Sequence, residues 1–266
     1  MEKICVLRVL GLVVAKTLTP KIVVVSGLTA SGKTALSIVL AKQFNAEIIS
    51  ADSRQVYRGL DIGSAKITTA EMQGIPHHCL DIVDPTQNTR YSVGDFQRDA
   101  YAAIDDILAR GKLPLLVGGT GLYSRAVING YGFNEQPNQP RYDVLQICLI
   151  PPNTILAPKV KLRNTERVAH GMFAETEHLL AAGVPADFLY KLGLEYRLNV
   201  RYLQHEIDLD TYYDELYHQT MQFIKRQRTW YRKENPAVTH YLTEPDTYLA
   251  DATKLMREFL HQSCGQ

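Results

Sequence analysis

Three short groups of residues in this 266-residue chain have types and spacings suited to chemistry. The first is Gly27-Leu28-Thr29-Ala30-Ser31-Gly32-Lys33-Thr34, a G-x-x-x-x-G-K-T pattern. Its glycines allow a tight loop whose N–H groups point inward, and a helix starting there adds its positive end. Such a loop cradles a di- or triphosphate. Lys33 offers a point charge to a phosphate oxygen, and Thr34 offers a hydroxyl to Mg²⁺. The pattern specifies phosphate but no reaction. The second group is Asp52-Ser53-Arg54-Gln55, a polar loop whose carboxylate reads either as a helix cap or as a group facing the phosphate loop. The third is Gly118-Gly119-Thr120, where two glycines permit close approach of backbone to a ligand, or simply a tight turn.

Each group follows an apolar segment that must position it. Ile22 to Ser26 reads as a buried parallel strand, β-branched and uncharged, with a helix from Ala35 to Asn45 after the loop. Glu47 to Ser50 is a second strand, and Leu113 to Val117 a third. In an open parallel sheet, chemistry collects beyond the carboxyl ends of the strands. All three groups sit at such ends. Between them, Ser92 to Arg110 is an amphipathic helix, with Ser92 and Asp95 as a cap and Gly111 as the stop. Residues 131–140, rich in Gly, Pro and Asn, form a linker, and Tyr142 to Ile150 is a further strand. The remainder reads as helical: Leu162 to Ala182, Asp187 to His205, Asp210 to Lys233 and Leu255 to Leu260. Arg163 and Arg167, one turn apart, suit a diphosphate or pairing with Glu166 and Glu175. Lys225-Arg226-Gln227-Arg228-Thr229-Trp230-Tyr231-Arg232-Lys233 is a basic and aromatic cluster. It suits a nucleic-acid backbone with Trp230 or Tyr231 stacking, or a solvated helix end.

The fold class is therefore α/β: a P-loop NTPase-like parallel sheet flanked by helices, with a helical C-terminal part. Three regions are expected. Residues 1–20 form an extension, 21–152 the α/β core, and 153–266 a mostly helical part that completes the core and carries the basic segment. A net charge of +1 excludes a uniformly basic nucleic-acid binder, so any basic surface is local. Cys5, Cys79, Cys148 and Cys264 are too scattered for a metal site or a disulfide framework, which points to a reducing cytosol. His77 and His78 beside Cys79 lack the spacing of a metal site. In residues 1–20 the apolar run is broken by Arg8, which argues against a signal peptide. An extra strand, a start-site artefact or a loosely attached arm accounts for it better. No later segment is long and apolar enough to span a membrane.

Four blocks together resemble the tRNA dimethylallyltransferase (isopentenyltransferase) family. They are Gly27 to Thr34, Ile49 to Lys66, Leu115 to Tyr123 and Lys225 to Tyr231. The second block separates the chain from adenylate, shikimate and other P-loop kinases. The resemblance implies that the loop holds the diphosphate of dimethylallyl diphosphate rather than ATP for phosphoryl transfer. The acceptor is then N6 of an adenine just 3′ of the anticodon. It assigns Asp52 as the base that takes the N6 proton and Thr120 as the group that positions the reaction centre. Thr29, Ala30, Ser31, Gly32, Lys33 and Thr34 grip the diphosphate, with Lys66 and Arg163 beside them and Mg²⁺ at Thr34. Ser53, Arg54, Gln55, Val56, Tyr57 and Gly119 touch the target nucleotide. Arg226, Gln227, Arg228 and Trp230 face the tRNA.

The chain also departs from the family pattern. The inserted helical lobe that helps clasp the anticodon arm is reduced to Tyr131–Pro140. Gly193-Leu194-Glu195-Tyr196 stands where the family has a Gly-Tyr-Lys/Arg-Glu-like stretch, and Leu28 stands where proline is common. The expected protein is a compact, cytoplasmic, monomeric tRNA prenyltransferase with a weakened tRNA clamp. Prenyl transfer to free adenosine phosphates, or a non-catalytic phosphate- or RNA-binding relative, are the alternatives.

Overall fold

The computed structural model describes residues 4–9, 12–17, 19–87, 90–130, 141–233 and 239–262. Strands β1 (Ile4–Val9) and β2 (Leu12–Thr17) pair antiparallel in a sheet of their own. An extra strand is one of the expectations for residues 1–20, and two are present, paired with each other rather than added to the central sheet.

The central strand is β3 (Lys21–Gly27), whose residues from Ile22 to Gly27 are all buried. It leads through the phosphate loop into α1 (Lys33–Gln43) and then β4 (Ala46–Ser50). A short α2 (Thr69–Met72) precedes β5 (His77–His78). Next come α3 (Val93–Ala109), β6 (Leu113–Gly118), α4 (Gly121–Asn129) and β7 (Asp143–Leu149). The capping box at Ser92 and Asp95 starts α3 as the sequence indicates: each side chain bonds the other's backbone N–H.

The C-terminal half is helical: α5 (Asn153–Ala169), α6 (Met172–Ala181), α7 (Ala186–Leu192), α8 (Leu194–Leu203) and α9 (Leu209–Tyr231). Two of the helices expected from periodicity are split. Gly171 and Gly193 both take positive φ, at 95° and 75°, which an L-residue resists, and each ends one helix and begins another. The helical expectation also omits β8 (Thr239–Leu242), which pairs parallel with β7, before α10 (Tyr248–His261) closes the described chain.

The sheet order is β5-β4-β6-β3-β7-β8, with every pairing parallel. Register decides where the loops emerge. Ser26 lies opposite Gly118, Ser50 opposite Val117, and Gly27 opposite Leu149. The three chemistry-bearing loops therefore leave one edge of the sheet side by side. At the opposite edge, Glu47 near the start of β4 is 1% exposed. It accepts hydrogen bonds from Arg110, Lys112 (2.7 Å) and the His78 ring (2.8 Å). Chiefly the Arg110 bonds, against the cost of burial, hold its carboxyl far below the usual range.

Candidate active site

At the first glycine of the phosphate loop and at Gly118 beside it, backbone packs too closely to admit a side chain. A Cβ on Gly27 would lie 2.3 Å from the Leu149 carbonyl oxygen, and one on Gly118 would lie 2.1 Å from that of Ala51. Ala30 (φ 62°) and Gly32 (φ 94°) turn the loop. Leu28, in the common proline position, donates its N–H to the Leu149 carbonyl (3.0 Å), a bond proline cannot make. Its side chain is wholly buried among Cys148, Leu156, Val160, Ile224 and Tyr231.

Lys33 folds back to donate to the carbonyls of Gly27 (3.0 Å) and Leu28 (2.6 Å). Burial first, then repulsion by Arg163, lowers its pKa to about 8, although Asp52 pulls the other way. Arg163 is lowered to about 10, by burial and then by Arg167, and its Nε is buried without a protein partner. The Ser31 hydroxyl, in the loop itself, is likewise buried and unpartnered. These groups are cationic or donor-rich and underused by the protein, which is the chemistry of an anion site.

The two neighbouring loops are tied together. Ser53 donates its N–H to the Thr120 hydroxyl (3.1 Å), and Thr120 donates its own N–H to the Ala51 carbonyl (3.2 Å). Asp52 Oδ1 accepts the Arg54 N–H (2.9 Å), which fixes the carboxylate in an Asx turn. One cavity of about 1030 Å³ is lined by the phosphate loop from Thr29 to Thr34, by Asp52, Ser53, Arg54, Gln55, Tyr57, Gly119 and Thr120, and by Arg163 and Gln227.

Other expected site residues lie elsewhere. Lys66 does not line the cavity; its ammonium binds Asp61 (2.6 Å), Asp81 (2.5 Å) and the Tyr57 carbonyl (2.8 Å). Val56 is fully buried in the core beside Phe188 and Leu189. Arg228 donates to the Pro151 carbonyl (2.9 Å), and Arg226 lies over the Phe223 ring. Trp230 packs against Gly121, where a Cβ would meet its Nε1 at 2.1 Å, and under the Arg125 guanidinium. Gln227 is a wall residue rather than an outward one. The exposed cations of the basic segment are Lys225, Arg226, Arg232 and Lys233.

Arg163 and Arg167 part company despite their shared helix. Arg167 is buried and bonds Glu195 (2.9 Å), Asn164 (3.1 Å) and the Gly63 carbonyl (2.9 Å). Neither Glu166 nor Glu175 is its partner: Glu175 instead caps the N–H groups of Asp61, Ile62 and Gly63. Glu195 also holds Arg54 (2.5 Å). Burial would raise the Glu195 pKa, but Arg54 and Arg167 outweigh it and leave it at about 2. The altered Gly193-Leu194-Glu195-Tyr196 stretch thus supplies the anchor for an arginine at the cavity wall. Spacing gives no signal for the apolar wall residues Phe188, Leu192 and Leu194. Phe223 and Thr220, also in the wall, lie four and seven residues before Gln227 on α9, a helical spacing that would have found them.

Among the described residues, no three His, Cys, Asp or Glu side chains are grouped to hold a metal ion. Thr34, exposed at the first turn of α1, would offer one oxygen ligand to a metal ion. That donor set suits Mg²⁺ taking its other ligands from a diphosphate and water.

A parallel sheet whose phosphate loop shares a cavity with a carboxylate and a hydroxyl from adjacent strand ends defines a P-loop α/β protein acting on a phosphorylated compound. The comparisons with known proteins narrow this. The family model described as IPP transferase matches residues 55–139 and 132–234, and the isopentenyl transferase model matches residues 20–84. The chain belongs to the IPP transferase family. It is 36% identical over 274 aligned positions to tRNA dimethylallyltransferase 2 of Treponema denticola, covering 79% of this chain and 91% of that one. It is 37% identical to a tRNA dimethylallyltransferase of an Exiguobacterium strain, over 81% and 88%. The crystal structure of the full-length tRNA isopentenylpyrophosphate transferase from Bacillus halodurans superposes with a TM-score of 0.83 at 29% identity, over 92% and 98%. The two IPP transferase matches overlap at residues 132–139, within the linker rich in Gly, Pro and Asn.

Proposed function

We propose that this chain transfers a dimethylallyl group from dimethylallyl diphosphate to N6 of an adenine next to the tRNA anticodon. The observation that carries the reading is the shared cavity: phosphate loop and Arg163 with Asp52 and Thr120, in a member of this family. The loop amides, Lys33 and Arg163 hold the diphosphate and stabilise the charge that grows on it. Adenine N6 is a weak nucleophile because its lone pair is delocalised into the ring. Asp52 accepts the N6 proton while the new N–C bond forms at C1 and the C1–O bond breaks, its electron pair leaving with the diphosphate. Thr120, tied to the backbone next to Asp52, orients the amine. Phe188, Leu192, Leu194 and Phe223 give the allylic chain an apolar wall and keep water from C1. Thr34 would hold Mg²⁺, which would supply neutralisation of charge on the leaving group.

The exposed Lys225, Arg226, Arg232 and Lys233 meet the RNA backbone, with no stacking role for Trp230. We place the protein in the cytoplasm, acting as a monomer. Among the described residues no helix is long and apolar enough to cross a membrane. The test is incubation with labelled dimethylallyl diphosphate and either an anticodon stem-loop with consecutive adenines or AMP. Label on the stem-loop is expected. Label on AMP alone moves the acceptor to free nucleotides, and label on neither overturns the enzyme.

A further inference from the structure

The Gln227 carboxamide bridges two loops that the sequence keeps far apart. Its Oε1 accepts from the Thr29 N–H (2.9 Å) and the Thr29 hydroxyl (3.1 Å), and its Nε2 donates to the Gly119 carbonyl (3.1 Å). The partners fix the amide orientation: an N–H must face Oε1 and a carbonyl must face Nε2. Tyr231, one helical turn on, donates its hydroxyl to the same carbonyl (3.3 Å). A Cβ at position 119 would lie 2.9 Å from Gln227 Nε2, so the absence of a side chain there admits the bridge. Gln227 is itself 6% exposed, which leaves little of it for RNA.

We propose that Gln227 is a positioning residue: it sets the phosphate loop and the Thr120 turn in register with one another. This rests on the prenyl-transfer reading of the cavity. The donor's C1 is placed by the phosphate loop, and the acceptor amine is placed by Asp52 and the Thr120 turn. The bridge therefore controls the approach of one to the other, not the grip on either. Thr29 then serves the bridge, and the loop from Ala30 to Thr34 keeps its hold on diphosphate without it. A misplacement on the order of 1 Å between reacting groups costs about 10²-fold in rate.

The test compares Gln227→Leu, which removes all three bonds, with Gln227→Glu, which keeps the acceptor for Thr29 and loses the donor for Gly119. Thermal melts establish that each is folded, and Gln227→Glu serves if Gln227→Leu is not. For Gln227→Leu, kcat is expected to fall about 10- to 100-fold, with KM for dimethylallyl diphosphate and for the stem-loop nearly unchanged. Gln227→Glu, which turns an acceptor toward the Gly119 carbonyl, is expected to lose kcat as well, whereas a role in packing alone predicts near-wild-type kcat for this isosteric change. A raised KM for the stem-loop at unchanged kcat returns Gln227 to RNA contact and overturns the proposal. The bridge is also read without turnover, by hydrogen exchange at the Thr29 amide. Faster exchange in Gln227→Leu supports the tie, and equal exchange in wild type and variant removes it, whatever the activity. Absence of transfer by the wild type with faster exchange in the variant removes the reaction and leaves the bridge.

Discussion

Strand β4 carries a charge problem near each end, and the two are solved differently. Near its start, Glu47 is buried with Arg110, Lys112 and His78 all donating to it. Beyond its end, Asp52, Lys33 and Arg163 line a cavity, and the cations there are pulled toward neutrality, Lys33 to about 8 and Arg163 to about 10. A charge whose partners are complete stabilises a fold and does no chemistry. A charge whose partners are incomplete costs stability, and the cost is recovered when a ligand supplies the missing groups. The contrast separates scaffold from site without reference to any motif.

The largest expected break in this contrast is at Asp52. Asp52→Asn keeps an oxygen for the Arg54 N–H and removes the base, so transfer should fall by about 10²–10⁴-fold while inorganic diphosphate still binds. Single-turnover transfer and calorimetric binding check the two halves separately, and near-wild-type turnover would remove Asp52 as the base. At the other end, Glu47→Gln should cost roughly 2–3 kcal/mol of stability with activity per folded molecule intact. Urea midpoints measure it, and a loss of activity at unchanged stability would put Glu47 in the site rather than the scaffold.

The smallest effect is a pH dependence. In the proposed reaction Lys33 holds diphosphate in its protonated form, and burial lowers its pKa in the free protein to about 8. Raising pH through 8 therefore removes the binding form, and the Lys33 contribution to affinity weakens by up to about tenfold per pH unit. Below pH 8 the contribution is complete. Lys33→Arg, which stays charged, should lack this dependence. Calorimetry of inorganic diphosphate across pH 7 to about 9.5, comparing the two proteins so that the ligand's own titration cancels, decides it.

The floor of the site was legible because each part follows a local rule. The glycine spacing, the apolar run before it and the strand-end positions of Asp52 and Thr120 all lie within short windows. The Ser92 cap was legible for the same reason. What spacing does not reveal are choices made between distant segments. Arg163 and Arg167 have the same local setting, and only Glu195, 28 residues after Arg167, separates wall from strut. Trp230 in a basic segment reads as a base-stacking ring until Gly121 is found beneath it. Lys66 reads as a phosphate ligand until Asp61 and Asp81 occupy it. The helix ends at Gly171 and Gly193 are dihedral choices that an apolar pattern does not encode.

Leu28 sets an order of assembly. Its side chain plugs a core built partly from Ile224 and Tyr231, and the adjacent Thr29 is bonded to Gln227, 198 residues further on. During synthesis the phosphate loop leaves the ribosome early, but its seat is incomplete until α9 has followed it. The catalytic edge is thus completed only once α9 is present, and a nascent chain halted before α9 carries the motif without its Gln227 tie.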